Sequence, residues 1–157
     1  MRVKHVMTKN PTCCLATDKT RAAAGIMRDE RTGIVPVIDN EQSQKIVGVV
    51  TDRDLCMNVV AEGREPDAVS VQECMTAVVV TCSVNDSVDR AMELMKENQI
   101  RRVPVVDAEG RVQGILSIAD LVTRADIKMG ETHDTLKKVS TPTPEPSKPR
   151  GRHRRAA

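Results

Sequence analysis

The chain has 157 residues, enough for one ordinary domain or two small ones. Apolar residues make up 39% and charged residues 29%, the balance of a folded chain, and no run of about 18 apolar residues offers a membrane span. Phe, Tyr and Trp are absent, which removes the aromatic platforms of most single-strand nucleic-acid readers and leaves Val, Ile, Leu, Met and Ala to fill the core.

The net charge of +2 is unevenly spread. Residues 137–157 hold seven Lys/Arg against Glu145, leaving 17 bases and 21 acids in residues 1–136. The body is therefore mildly acidic and a poor surface for nucleic acid. The five cysteines include no C-x-x-C pair, and the histidines lie far from them, so neither a disulfide framework nor a zinc site is expected. Small apolar thiols in a reducing cytoplasm are the expectation instead.

In chain order, Met1 to His5 carries no apolar signal region, which fits a cytoplasmic chain. An extended lead, Thr12–Leu15, runs to Asp18, a candidate N-cap. Ala22, Ala23, Ile26 and Met27 then recur at helical spacing. The run Ile34-Val35-Pro36-Val37-Ile38 reads as a strand, its proline marking an edge or a strand start. Asp39-Asn40-Glu41 turns the chain back into Lys45–Val50, and Thr51 stands where this strand gives way to a second helix.

The same sequence of elements then repeats. At an offset of 68, Met7-Thr8 falls on Met75-Thr76, Cys14 on Cys82, Asp18 on Asp86 and Val35-Pro36-Val37 on Val103-Pro104-Val105. After a turn two residues longer in the first copy, the offset becomes 66, pairing Gly48 with Gly114, Asp54 with Asp120 and Leu55 with Leu121. The chain is a tandem duplication of a β-α-β-β-α unit. One such unit is marginal alone, whereas two can close against each other about a pseudo-twofold axis. The expected organisation is residues 1–62, a linker 63–69, residues 70–127, and a disordered basic Pro-rich tail 132–157.

The best chemical constellation is Thr51-Asp52-Arg53-Asp54, with Ser117-Ile118-Ala119-Asp120 as its reduced copy. A hydroxyl and a carboxylate three residues apart at a helix start are a capping arrangement. The same groups could also serve a ligand, the hydroxyl and helix N–H groups meeting phosphate and the carboxylate a ribose diol, with Arg53 adding a charge-assisted contact. Spacing alone leaves both readings open.

Val6-Met7-Thr8, Val35-Pro36-Val37-Ile38-Asp39 and Gly48-Val49-Val50-Thr51-Asp52-Arg53-Asp54-Leu55 resemble a CBS (cystathionine β-synthase-type) motif. Cys74-Met75-Thr76, Arg101–Asp107 and Gly114–Leu121 resemble another, and together they cover roughly residues 1–125. The resemblance implies an α/β (α+β) fold of tandem CBS repeats, a Bateman module. It also implies regulatory rather than catalytic work: binding AMP, ADP, ATP or related adenosyl ligands such as S-adenosylmethionine or NAD in two clefts between the repeats. No required cofactor is implied. Thr51 and Asp54 would serve one cleft, and Ser117 and Asp120 the other. Backbone around Ile34 and Pro36, and around Arg102 and Pro104, would meet the adenine. Thr81, with Cys13 as its repeat counterpart, would face the ligand. Asp52 and Arg53 make the clefts unequal, and Arg101, Arg102 and Arg124 are candidates to supply phosphate charge in the second.

The expected partners are a second copy of the chain, docked through helix faces, and an effector protein not contained in it. Two alternatives come from other classes. One is polyanion binding through the tail, Arg150-Gly151-Arg152-His153-Arg154-Arg155. The other is an enzyme, for which no nucleophile–base pair or Gly-rich phosphate loop is evident.

Overall fold

The computed structural model describes residues 1–124 and 129–140. A short strand β1 (Thr8–Lys9) precedes the first repeat, which comprises β2 (Cys14–Leu15), α1 (Thr20–Asp29), β3 (Ile34–Ile38), β4 (Ile46–Thr51) and α2 (Asp52–Leu55). A wider π-helical turn, Cys56–Val60, continues α2. The second repeat comprises β5 (Cys82–Ser83), α3 (Val88–Asn98), β6 (Arg102–Val106), β7 (Val112–Ser117) and α4 (Ile118–Arg124), and α5 (Met129–Ser140) follows. The duplicated β-α-β-β-α order is thus present twice, as two sheets ordered β2-β3-β4 and β1-β7-β6-β5.

Helix α1 forms because Ala23 and Met27 recur on one face, and α3 because Ala91, Met92 and Met95 do the same. Each helix ends on a residue in the left-handed region just beyond it, Arg31 (φ 52°) and Gln99 (φ 53°), which are repeat equivalents. Asp18 and Asp86 are not the caps. The residues flanking the helix starts are Lys19 and Ser87, and only the Ser87 hydroxyl accepts a bond there, from the Arg90 amide. Asp18 instead accepts the Leu15 amide at 2.8 Å, and Asp86 the Ser83 amide at 2.8 Å, closing the turn ahead of each helix.

Pro36 and Pro104 lie mid-strand in β3 and β6, each flanked by strands on both sides. They are tolerated because β2 and β5 are two residues long and pair only with Val37–Ile38 and Val105–Val106. Each proline therefore sits just past the end of its parallel neighbour, where no donor is required of it.

The repeats are not closed units: each lends its leading segment to the other. Val3, Val6 and Met7 are buried in the core of the second repeat, while Val69, Val71 and Cys74 are buried in the core of the first. The backbone bonds reciprocate. The Val3 amide donates to Asp86 O at 3.0 Å and the Val71 amide to Asp18 O at 2.8 Å, while the Thr20 amide reaches Val69 O and the Val88 amide Met1 O. β1 pairs antiparallel with β7, and Thr76 with Val49. At these crossings stand Gly114 and Gly48. A Cβ on Gly114 would lie 2.6 Å from Met7 Sδ and 2.7 Å from Thr8 O, and one on Gly48 would lie 2.7 Å from Met75 Sδ and 3.1 Å from Thr76 O. Glycine is needed there so that the exchanged segment can cross the strand closely. Between the two hairpins, the Ile46 amide donates to Gly110 O and the Val112 amide to Gln44 O, which completes the pseudo-twofold relation.

Residues 129–140 correct the reading of a disordered tail beginning at 132. They form α5, which packs on α3 and α4 with Thr135 and Val139 buried one turn apart. The Thr/Lys-rich composition concealed these two buried positions. Residues 141–157 lie outside the described residues.

Candidate functional site

One open cleft of about 560 Å³ runs between the repeats. One wall is the end of β4 and the start of α2: Val49, Thr51, Asp52, Arg53 and Asp54, with Gly33 and Ile34 beside them. The facing wall belongs to the second repeat: Thr76, Val78, Val79 and Val80 from its leading segment, then Gln99 to Arg102 and Pro104. The exchange of leading segments brings these walls together. It also moves Arg101 and Arg102 into the cleft of Thr51, where the sequence reading had offered them to the other.

Thr51 and Asp54 hold each other. The Thr51 amide and hydroxyl donate to Asp54 Oδ2 at 2.9 and 2.8 Å, and the Asp54 amide returns a bond to Thr51 Oγ1 at 3.2 Å. The capping box is therefore real, and both residues still line the cleft. Capping and ligand contact are compatible, because a carboxylate has lone pairs for more partners than the cap uses. The Asp52 amide donates to Gly33 O at 3.1 Å, fixing α2 against the start of β3. Asp52 Oδ2 would come within 2.7 Å of a Cβ on Gly33, so this glycine makes room for that carboxylate. Three guanidinium residues, Arg53, Arg101 and Arg102, share the cleft with the two carboxylates. Its lining combines apolar side chains with an excess of positive charge, which suits a ligand with a flat apolar ring and an anionic end.

The equivalent place in the second repeat is built differently. The Ser117 amide and hydroxyl donate to Asp120 Oδ2 at 2.9 and 2.6 Å, repeating the capping box. The other oxygen, Oδ1, receives the Thr8 hydroxyl at 3.3 Å and faces Arg124 Nη1 at 3.3 Å. Asp120 is only 8% exposed. Arg124, a candidate phosphate contact from the sequence, stands here against Asp120 and the carbonyls of Val6 and Met7.

Of the remaining candidates, Pro36 is buried within β3, and its carbonyl accepts the Cys14 thiol. Cys13 is half-buried with its thiol on Pro11 O, and burial, reinforced by Glu30, pushes it up to about 11. Thr81 is half-buried and lies one residue beyond the cleft-lining Val80, outside the lining itself. The sequence reading missed the lining role of Val78 to Val80. These valines precede β5, where only Cys82 and Ser83 pair as a strand. Val78 is 88% exposed, a large apolar side chain standing open at the cleft mouth. That unpaired apolar run was the signal available.

A CBS domain family model matches residues 3–61 and 71–126. The chain belongs to the CBS domain family. Protein YlbB of Bacillus subtilis is 34% identical over 120 residues, 76% of this chain and 79% of that protein. Among solved structures, the CBS domain pair of protein MJ0100 in complex with 5'-methylthioadenosine and S-adenosyl-L-methionine superposes with TM-score 0.69 at 28% identity, covering 78% of this chain and 93% of that one. CBSX2 in complex with AMP superposes with TM-score 0.65 at 26% identity, covering 79% and 95%. The chain is thus a CBS pair with α5 appended. Among the described residues no helix is long and apolar enough to cross a membrane, and no group of His, Cys, Asp and Glu could hold a metal ion.

Proposed function

We propose that this CBS pair is a regulatory module that binds an adenine nucleotide in the cleft of Thr51 and Asp54 and passes its occupancy to a partner protein. The observation that carries this is the cleft itself, with a hydroxyl–carboxylate pair on one wall, arginines across from it, and an apolar bed of Ile34, Pro104 and Val78 to Val80. Asp54 accepts ribose hydroxyls, Arg53 and Arg102 meet phosphate, and the valines and Pro104 sandwich the base. The adenosyl ligands of two structural neighbours support this ligand class. Because the ligand touches both repeats, it favours the arrangement that brings the walls together, and that differential affinity is the signal. Met57 and Val60 beyond α2, with Val122 on α4, are exposed apolar side chains on helical segments and supply a face for pairing with a second copy.

The test is a thermal-shift screen of AMP, ADP, ATP, NAD, S-adenosylmethionine and methylthioadenosine, followed by circular dichroism because the chain has no Trp or Tyr. A ligand at a hundredfold excess over its dissociation constant adds about 2.7 kcal/mol of stability. No shift with any of the six at millimolar concentration would overturn the proposal.

A further inference from the structure

The two hydroxyl–carboxylate pairs are equivalent in sequence and in their capping bonds, yet Asp54 lines the open cleft while Asp120 is buried. The difference lies in what meets the second carboxylate oxygen. Arg124 Nη1 stands 3.3 Å from Asp120 Oδ1 and also approaches Val6 O (3.5 Å), Met7 O (3.4 Å) and Thr8 Oγ1 (3.4 Å). This one guanidinium nitrogen bridges α4 and the exchanged leading segment. The Thr8 hydroxyl completes the closure with its own bond to Oδ1 at 3.3 Å. At the offset of 66 the equivalent of Arg124 is Asn58, whose amide turns back to the Asp54 carbonyl at 2.9 Å and leaves the Asp54 carboxylate to the cleft. The equivalent of Thr8 is Thr76, which lines the open cleft.

We propose that Arg124, helped by Thr8, occupies the position in the second cleft that a ligand hydroxyl pair takes in the first, so that each chain binds one nucleotide. This rests on the proposed role of Asp54 as the ribose acceptor. A carboxylate already receiving an amide, two hydroxyls and a guanidinium has little left to offer a diol, and its burial keeps the diol away. The walls differ in the same sense. Where the open cleft has Val78, Val79 and Val80, the second repeat's site has Asn10, Pro11 and Thr12 by equivalence, a poorer bed for a purine. The contacts made by Arg124 are long for hydrogen bonds, and its side chain is half exposed, so the closure adds little to the stability of the fold. It is therefore removable without unfolding the chain.

The experiment is titration calorimetry with AMP on the full chain and on two variants, Arg124→Asn and Thr8→Ala, with melting followed by circular dichroism. The parent binds one AMP per chain; Arg124→Asn, which copies the first repeat's residue, binds two, and Thr8→Ala gains a weak second event. Adding Asp54→Ala to Arg124→Asn returns the count to one. A parent chain that binds two AMP with similar affinity overturns the proposal, as does Arg124→Asn still binding one while melting like the parent. The latter result leaves the nucleotide reading intact. Absence of AMP binding by both parent and Arg124→Asn overturns this proposal, and with no shift from any adenosyl compound it overturns the nucleotide reading too.

Discussion

The two halves of this molecule share a backbone plan and differ in their side chains at one decisive place. Asp54 and Asp120 carry the same cap, the same turn and the same antiparallel strand behind them. One opens on a cleft of about 560 Å³; the other is sealed by an arginine and a threonine. Duplication supplies two equal frames, and Asn58 against Arg124, together with Val78 to Val80 against Asn10 to Thr12, makes them unequal. The symmetry of this CBS pair is thus a property of the backbone, while the difference between its halves is a property of the rim.

The sharpest way to break this comparison is to remove both carboxylates in turn. Asp54→Ala deletes a charged acceptor and should weaken AMP binding by roughly 10- to 100-fold, the range for hydrogen bonds to charged groups. Asp120→Ala should leave AMP affinity unchanged, because that carboxylate already belongs to Arg124 and Thr8. Each substitution also removes the carboxylate half of a capping box, so melting measured beside binding separates the site from the fold. Equal binding losses would erase the distinction between the clefts.

Glycine at the crossings gives the next effect. Gly114→Ala should destabilise by about 1–3 kcal/mol in urea melts, since its methyl would collide with the Thr8 carbonyl as well as with the Met7 sulfur. Gly48→Ala should cost less, because its collision is chiefly with the flexible end of Met75. A larger loss at Gly48 would show that the two exchanged segments are not held alike. Smaller again, Val79→Asn should weaken AMP binding a few-fold by removing part of the apolar bed, the loss of a methyl or two from contact with the base.

The fold was largely legible because duplication writes every element twice: a weak signal such as Ala23 and Met27 gains force when Ala91 and Met95 repeat it. The strands around Pro36 and Pro104 were legible for the same reason. What composition could not show was which repeat each leading segment joins. Val3 and Val71 are equally apolar in either place, and only the chain's return across Gly48 and Gly114 decides it. That exchange determined the rest of the cleft, including the relocation of Arg101 and Arg102 and the lining role of Val78 to Val80. The closing contact of Arg124 was hidden as well, because an arginine at the end of a helix reads equally as solvated charge, phosphate ligand or internal partner. Thr135 and Val139, two buried positions in a polar stretch, were too sparse a pattern to announce α5.

The cores provide a control in which the two repeats should behave alike. Cys14 and Cys82 are equivalent, and burial pushes each thiol up to about 12, with Asp18 and Asp86, the turn-closing carboxylates, adding to the rise. A thiol whose folded value lies above its ordinary value near 9 favours the folded state while it stays protonated. Its contribution is complete below about pH 9 and is lost as pH climbs toward 12, because the unfolded chain ionises first. Melting temperature should therefore fall steadily above pH 9. Cys14→Ala and Cys82→Ala should each remove a similar share of that slope, whatever their cost in packing at pH 7. At pH 8 neither thiol should react with a disulfide reagent before the exposed Cys56 does, since the thiolate is the reacting form. If Cys14 titrates or reacts well ahead of Cys82, the inequality reaches into the cores, and the rim alone no longer accounts for the difference between the halves.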